Sequence, residues 1–218
     1  MTYENIRDNP TIRTYIKQAD ETLAVLGYTE HSFAHVTSVA EMAGYILEKL
    51  GYSQRMVELA KIAGFLHDIG NLVNRVEHSQ SGAIMAFRML DQMGFPPEEI
   101  ALITSAIGNH DDGTGVPVSP LAAALILADK SDVRRSRVRN IDPASYDIHD
   151  RVNYSVTKAE LKIDDEKENI RLRLRIDTNL GSVMDYFEIF IERMILCRKA
   201  AEKLGLRFRL IINEQSLL

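Results

Sequence analysis

The sequence has a single cysteine, Cys197, no tryptophan, and no apolar run of the roughly 18 residues that a membrane-spanning helix needs. One cysteine excludes the disulfide framework that is typical of small secreted proteins. No basic and then apolar leader opens the chain, so we expect a cytoplasmic protein without a membrane partner. Basic residues are outnumbered, 26 against 31 acidic ones, and the net charge of −5 argues against a nucleic-acid partner held by phosphate neutralisation.

What the chain does contain is typical of a globular protein, with 218 residues of which 45% are hydrophobic. Up to about residue 135 the apolar side chains recur at helical spacing, and glycines, prolines and short polar clusters separate the segments. The predicted helices cover residues 10–26, 36–50, 53–70, 79–93, 97–110 and 119–130. The first two thirds of the chain is therefore predicted to be a helical bundle.

After about residue 150 the apolar period changes to two, which is typical of half-buried strands. Residues 170–176 and 159–163 are predicted to form a hairpin across the turn at 164–168, and residues 207–212 to pair with it. A long helix is predicted over 182–204. The expected fold is thus mainly α, with a small C-terminal antiparallel β sheet and one long helix. We divide it into residues 1–145 and an α+β appendage over 146–218, packed as one bipartite domain.

Several helices place a metal-ligand type of side chain on their apolar face. His35, His67, His110 and Asp129 each follow or precede apolar residues at helical spacing, which turns them inward. An unpaired buried carboxylate costs several kcal/mol and an unsatisfied neutral polar group roughly 1–3 kcal/mol. Each residue alone is compatible with a hydrogen-bonded core side chain, but together they favour one shared cation.

Two further residues enlarge this set. Asp68 is adjacent to His67, and His78 opens the fourth helix. Four imidazoles and two carboxylates suit a divalent transition metal such as Mn, Fe, Ni, Co or Zn. His31 is expected to be a helix-start residue, with a place beside the ligands as the alternative. Asp132 is expected to be a solvated helix residue, with the orientation of a ligand or a water molecule as the alternative.

Three segments resemble the HD superfamily of metal-dependent phosphohydrolases. His35 lies in His35-Val36-Thr37-Ser38-Val39-Ala40, and the His-Asp doublet lies in Gly64-Phe65-Leu66-His67-Asp68-Ile69-Gly70. The segment Leu127-Ala128-Asp129-Lys130 is similar to the family's final ligand segment. The resemblance covers about residues 20–140 and implies an HD-domain helical bundle.

The resemblance also implies the roles of the ligands. His35, His67, Asp68 and Asp129 would bind a first metal ion. His78 and His110 would bind a second ion that Asp68 bridges. Because His78 follows His67 by only eleven positions, its alternative role is contact with the substrate.

The implied chemistry is hydrolysis of a phosphate ester by a metal-activated hydroxide, with Asp68 and Lys130 as catalytic residues. A cationic run follows Asp129, and we expect Lys130, Arg134 and Arg135 in it to bind the substrate phosphate. The run continues with Arg137 and Arg139. The expected substrate is a small phosphorylated metabolite, and a nucleotide is the first candidate.

Two other functions stay open at this point. The same fold and ligand set resemble myo-inositol oxygenase, in which a di-iron centre uses dioxygen, and ligand chemistry does not separate the two. A non-catalytic nucleotide sensor is the third hypothesis. The C-terminal appendage carries an apolar strand face and a long helix, so a homodimer through this segment is a further expectation.

Overall fold

The computed structural model describes residues 1–140, 142 and 146–217. The α-helices are α1 (Tyr3–Arg7), α2 (Pro10–Val25), α3 (Phe33–Lys49), α4 (Gln54–Leu66), α5 (His78–Gln92), α6 (Pro97–Gly108), α7 (Pro120–Lys130), α8 (Ile148–Ser155) and α9 (Val183–Lys203). Short 3₁₀ turns occupy Ile69–Leu72 and Arg135–Arg137. None of the described helices combines the length and apolar character needed to cross a membrane. The boundary predicted at residue 145 lies outside the described residues.

The sequence signals for helix starts are confirmed at several helices. Ser53 caps α4 by accepting a hydrogen bond from the Met56 amide at 3.3 Å, and Ser119 caps α7 in the same way. Ser182 forms a capping box with Asp185 at the start of α9. These caps fix where each helix enters the bundle.

The helix ends also follow the sequence. Gly51 and Gly205 have φ values of 85° and 76°, so they adopt the left-handed conformation that closes a helix and that glycine tolerates best. The third predicted helix ends earlier than expected, because α4 stops at Leu66 and a 3₁₀ turn carries the chain on to Leu72. The His-Asp doublet therefore lies at a helix end and not inside a helix.

Two short helices have no counterpart in the predictions. The helix α1 has five residues, of which only Tyr3 and Ile6 are buried. The helix α8 has eight residues and buries Val152, Asn153 and Ser155. Neither segment is long enough to show an apolar stripe, so periodicity does not detect them.

The strands are β1 (Val156–Ile163), β2 (Asn169–Ile176), β3 (Arg207–Ile212) and β4 (Gln215–Ser216), in the spatial order β1-β2-β3-β4. The hairpin of β1 and β2 is confirmed, with Leu161 opposite Leu172. The sheet differs from the expected antiparallel arrangement because β3 pairs with β2 in parallel. The connection through α9 returns the chain to the same end of the sheet, so β3 runs in the direction of β2.

One hydrophobic core joins the bundle to the sheet. It includes Ile62 of α4, Leu125 of α7, Phe190 of α9 and Leu172 of β2, each 1% exposed or less. The helix α9 packs against α7 on one side and β3 on the other. The mainly α fold with a small C-terminal sheet is confirmed, and α9 is held directly against the helix that carries Asp129.

Candidate metal centre and adjoining cavity

The histidines predicted as ligands converge in the middle of the bundle. The ring centroids of His35 and His67 lie 5.2 Å apart, those of His67 and His110 5.0 Å, and those of His110 and His78 5.2 Å. All four side chains are 0–2% exposed. They come from α3, the end of α4, the start of α5 and the end of α6, so four separate elements supply one cluster.

Two glycines of the doublet segment bring these elements together. A Cβ atom at Gly64 would lie 2.7 Å from the Cα atom of Ala40, so α4 approaches α3 more closely than any side chain would permit. A Cβ atom at Gly70 would overlap the carbonyl oxygen of His78. The motif therefore needs glycine at both positions, because only glycine leaves room for α3 and for the start of α5.

Asp68 lies at the centre of the cluster. Its Oδ2 atom is 3.1 Å from Nε2 of His67 and 3.5 Å from Nε2 of His35, whereas its Oδ1 atom is 3.4 Å from Nε2 of His78. The Oδ1 atom of Asp129 is 3.4 Å from Nε2 of His35 and 3.6 Å from Nε2 of His67. The two oxygens of Asp68 thus face different histidines.

The outer nitrogen of each imidazole makes a hydrogen bond that orients the ring. Nδ1 donates to the Gly64 carbonyl in His67 (2.8 Å), to the Ile107 carbonyl in His110 (2.6 Å) and to the Arg75 carbonyl in His78 (3.1 Å). A carbonyl oxygen only accepts, so Nδ1 carries a hydrogen in each ring, and Nε2 is the nitrogen that faces the centre and can bind a metal ion when it carries no proton.

His35 is oriented by a carboxylate. Its Nδ1 atom lies 2.7 Å from Oδ2 of Asp132, and Arg134 donates to the other oxygen of this carboxylate at 2.8 Å. The expectation that Asp132 is a solvated helix residue is wrong, because its side chain is only 10% exposed and is held between His35 and Arg134. A carboxylate behind a ligand histidine is a common feature of metal sites.

The inner nitrogens provide the test of whether a metal ion fits. The Nε2 atoms of His35, His67 and His110 are buried and have no hydrogen-bond partner among the described residues. Ligand atoms of His35, His67 and Asp129, and likewise of His67, Asp68 and His110, lie within 4.8 Å of one another. Three unsatisfied imidazole nitrogens beside two carboxylates suit a transition metal ion, so the residues fit the group that the sequence predicts.

The charges in the cluster depend on one another. Burial tends to lower the pKa of His67, but Asp68 and Asp129 outweigh it and raise that pKa to about 10. Burial, assisted by the charge on His67, lowers the pKa of His110 to about 3. The pKa values of Asp68 and Asp129 stay well below the ordinary carboxyl value, because the neighbouring cations outweigh burial. Without a metal ion, a proton on His67 balances part of the negative charge.

A cavity of about 440 Å³ opens beside the cluster. Its floor includes His31, Asp68, His78 and Asp129. Its other walls come from the loop after α2, from α8 and from α9; these contribute Leu26, Gly27, Tyr28, Thr29, Asp147, His149, Asp150, Asn153, Phe190 and Arg193. This volume is in the range of small-molecule sites.

Four cationic side chains line the cavity, namely Arg75, Lys130, Arg137 and Arg193. Lys130 is 5% exposed and its Nζ atom lies 2.8 Å from Asp129 and 3.2 Å from Asp112. Burial tends to lower the pKa of Lys130, but these two carboxylates raise it. Lys130 therefore reaches the site as predicted and stays charged there.

Arg134 and Arg135 do not line the cavity. Arg134 forms ion pairs with Asp132 and Glu30. Arg135 donates to the Tyr154 carbonyl at 2.6 Å and lies 4.5 Å from the centre of that residue's ring. This placement does not support the substrate-binding role predicted for them. The reason is that the chain leaves α7 in an irregular segment, so neighbouring arginines point to different surroundings.

Other residues at the site were expected less clearly or not at all. His31 lies beside the ligands after all, with Nε2 4.0 Å from Oδ2 of Asp68. Arg75 and Arg193 were not predicted. Arg193 follows the buried Tyr186 and Phe190 of α9 by seven and three residues, so it is a cation at the edge of an apolar helix face. A polar residue at helical spacing from buried apolar residues is the same signal that identified the histidines.

The family to which these segments belong follows from the sequence match. The HD domain profile matches residues 32–134. The chain carries an HD domain. This span includes His35, the His67-Asp68 doublet and Asp129, and it ends before the segments that supply α8 and α9. HD domains bind divalent metal ions, and the cluster offers His and Asp groups that could hold one.

Relatives of this HD-domain protein differ in how much of the chain they share. An uncharacterized protein of Methanocaldococcus jannaschii is 28% identical over 214 aligned positions, which cover 87% of this chain and 80% of that protein. Ribonuclease Y of Dehalococcoides mccartyi is 35% identical over 119 positions, 52% of this chain, and that of Streptococcus agalactiae is 30% identical over 120 positions, 55% of this chain. The matched part is 21% of either ribonuclease Y.

One solved structure is also similar. It is the crystal structure of a predicted HD superfamily hydrolase from an uncultured Thermotogales bacterium, with 25% identity, coverage of 60% of this chain and 73% of that chain, and a TM-score of 0.43. The assignment of the HD domain rests on the sequence match, which supports a metal-dependent phosphohydrolase in general terms.

Proposed function

We propose that this protein hydrolyses a phosphate ester of a small metabolite, in first place a nucleotide, with divalent transition metal ions held by His35, His67, Asp68, His78, His110 and Asp129. The observation that carries the proposal is the set of buried Nε2 atoms without a hydrogen-bond partner, which lie beside two carboxylates, Asp68 and Asp129, that line a cavity with four cations. Metal ions bound there would polarise the phosphoryl group and lower the pKa of an attacking water molecule.

The position of Asp68 supports two metal ions. Its Oδ2 atom faces His35 and His67, and its Oδ1 atom faces His78. A carboxylate that offers one oxygen to each of two ions is the usual bridge of a binuclear site. His78 would then be a ligand of the second ion, because its Nδ1 atom is oriented by the Arg75 carbonyl in the same manner as the other ligands.

The cavity supports a small phosphorylated substrate. Its cations would neutralise the phosphate charge, which is the main task of a protein in phosphoryl transfer. On the opposite side, Asp147, Asp150 and Asn153 of the α8 region offer oxygen acceptors to hydroxyl or amino groups of a sugar or base. The name ribonuclease Y points to RNA in those relatives, but the cavity volume and the net charge of −5 favour a small ester here.

The proposal is tested by phosphate release from protein loaded separately with Mn²⁺, Fe²⁺, Co²⁺, Ni²⁺ or Zn²⁺. The panel contains nucleoside monophosphates, sugar phosphates, a phosphodiester and a short RNA. We expect release from a monoester by the wild type and by Asp91→Ala, an exposed carboxylate on α5, but not by Asp68→Ala. If no ester is cleaved faster than by Asp68→Ala, the proposal is rejected.

The same protein samples distinguish the two other hypotheses. Substrate-dependent oxygen uptake by the iron-loaded protein, without phosphate release, would identify a di-iron oxygenase. Tight nucleotide binding without phosphate release or oxygen uptake would identify a sensor.

A further inference from the structure

The wall of the cavity that faces the metal cluster is built by residues outside the HD domain. Arg137 follows the matched span 32–134, and Phe190 and Arg193 belong to α9, more than fifty residues further along the chain. Because α9 packs against α7, it brings Phe190 and Arg193 to the cavity that Asp129 also lines. The C-terminal segment is therefore part of the cavity.

Arg137 is a buried cation with one nitrogen unused. The residue is 5% exposed. Its Nε atom donates to the Glu30 carbonyl at 2.9 Å and its Nη1 atom to the Asp132 carbonyl at 2.8 Å. Among the described residues nothing accepts a hydrogen bond from Nη2. Arg137 lines the cavity, so its Nη2 atom is available to an acceptor that arrives there.

Arg193 is held in a way that leaves its terminal nitrogens available. Its Nε atom donates to Oδ2 of Asp112 at 2.8 Å, and its guanidinium carbon lies 4.5 Å from the centre of the Phe190 ring. Neither Nη1 nor Nη2 has a hydrogen-bond partner among the described residues. Asp112 and Phe190 fix the plane of the group, and the two remaining nitrogens can form the fork that binds two phosphate oxygens.

Both arginines lie within the electrostatic reach of the metal ligands. The charge of Asp129 acts on the pKa of Arg137 and on that of Arg193. Two cations in the electrostatic neighbourhood of one carboxylate ligand would attract an anion that is bound beside that ligand.

We propose that Arg193, together with Arg137, binds phosphoryl oxygens of the substrate, so that the segment after the HD domain completes the substrate site. This inference rests on the proposed function, since it assumes an anionic phosphate ester at the metal cluster. It assigns substrate recognition to residues that lie outside the HD domain match at 32–134.

A purely structural role for Arg193 is the competing explanation. In that case its ion pair with Asp112 would only hold α9 against the loop between α6 and α7. The two explanations differ in what a change at Arg193 affects. A structural ion pair affects thermal stability, whereas a phosphate-binding group affects the affinity for phosphate itself.

The test measures binding of inorganic phosphate to the Mn²⁺-loaded full chain by calorimetry, with the thermal midpoint recorded for every variant. Arg193→Gln removes the charge and the fork, and we expect phosphate affinity to fall by about 10- to 100-fold. Arg193→Lys keeps the charge and can still reach Asp112, so we expect a smaller loss. Arg198→Gln, an exposed arginine on the same helix, should bind phosphate as the wild type does.

The inference is overturned if the wild type does not bind phosphate, or if Arg193→Gln binds it equally well, whether or not the thermal midpoint falls. If Arg193→Gln does not fold, Arg193→Lys provides the test. Unchanged phosphate affinity in folded Arg193→Lys overturns the inference, and reduced affinity supports it. The proposed function is judged separately. Ester hydrolysis by a wild type whose phosphate affinity does not depend on Arg193 would refute this inference alone. Phosphate binding that depends on Arg193, without hydrolysis of any ester, would refute only the proposed function.

Discussion

The side chains of the metal cluster and the arginines that we propose to bind the substrate are held in place in different ways. We refer to them as the metal side and the substrate side of the cavity. On the metal side the imidazoles of His35, His67 and His110 are fully buried, and each is oriented by a hydrogen bond from Nδ1. On the substrate side Arg193 is 25% exposed and is anchored through one nitrogen. Ligands that must meet an ion within tenths of an ångström are fixed in advance, whereas a side chain that meets an incoming substrate keeps some freedom.

The strongest test of this difference is removal of the central carboxylate. Asp68→Ala takes away two oxygens that face three imidazole Nε2 atoms, so we expect loss of bound metal and a fall of hydrolytic activity to background. Metal content by mass spectrometry and phosphate release measure the two effects. Asp91→Ala should retain both, and a metal content in Asp68→Ala equal to that of the wild type would show that the cluster is not the metal site.

The next test concerns the group behind the ligand. Asp132→Ala removes the acceptor of the His35 Nδ1 hydrogen, and loss of such an orienting partner typically lowers metal affinity about 10- to 100-fold. Arg134→Ala removes a partner of Asp132 and of Glu30 but leaves the acceptor of the His35 Nδ1 hydrogen in place, so it should cost less metal affinity. Competition with a chelating indicator gives both affinities. An effect of Arg134→Ala as large as that of Asp132→Ala would mean that charge, and not ring orientation, is what Asp132 supplies.

A change of pH should also act on the metal side. In the metal-free protein His67 has a pKa of about 10, so it holds a proton at neutral pH that a metal ion must displace. The lowered pKa values of His78 and His110 mean that these residues are already neutral. Burial and Arg137 tend to lower the pKa of His35, but Asp129, Asp132 and Asp68 outweigh them and raise it, so His35 adds to the protons that a metal ion must displace. Metal affinity should therefore rise by at least about tenfold per pH unit between about pH 7 and pH 9 and level off above pH 10. Calorimetry in buffers of different ionisation enthalpy counts the released protons, and no proton release would contradict this assignment.

The sequence predicted the residues of the metal side more completely than those of the substrate side. The proposed ligands were predictable because most of them are polar residues on an apolar helix face (His35, His67, His110 and Asp129) or belong to a quoted motif (His35, His67, Asp68 and Asp129). Arg193 has a similar position on α9, but a single cation at the edge of an apolar face is also typical of a side chain that extends to solvent. The wall from α8 was not predictable, since an eight-residue helix with few buried residues carries no period.

Tertiary structure decided the remaining features. The parallel pairing of β3 with β2 follows from the path of α9 across the sheet, which strand periodicity does not encode. Asp132 and Arg135 occupy an irregular segment after α7, where sequence spacing does not fix side-chain direction. In that segment only contacts with distant residues, such as His35 and Tyr154, determine which side chain serves the site.

The smallest expected effect is that of a change at Arg135, which does not line the cavity. Its guanidinium donates to the Tyr154 carbonyl and lies over the Tyr154 ring, so it ties the segment after α7 to α8. Arg135→Ala should lower the free energy of unfolding by about 1–2 kcal/mol through the lost hydrogen bond and cation–π contact. The KM for the ester should stay within about twofold, because Arg135 does not reach the cavity. Urea unfolding and steady-state kinetics measure the two quantities, and a KM increase of about tenfold or more would assign Arg135 to the substrate site after all.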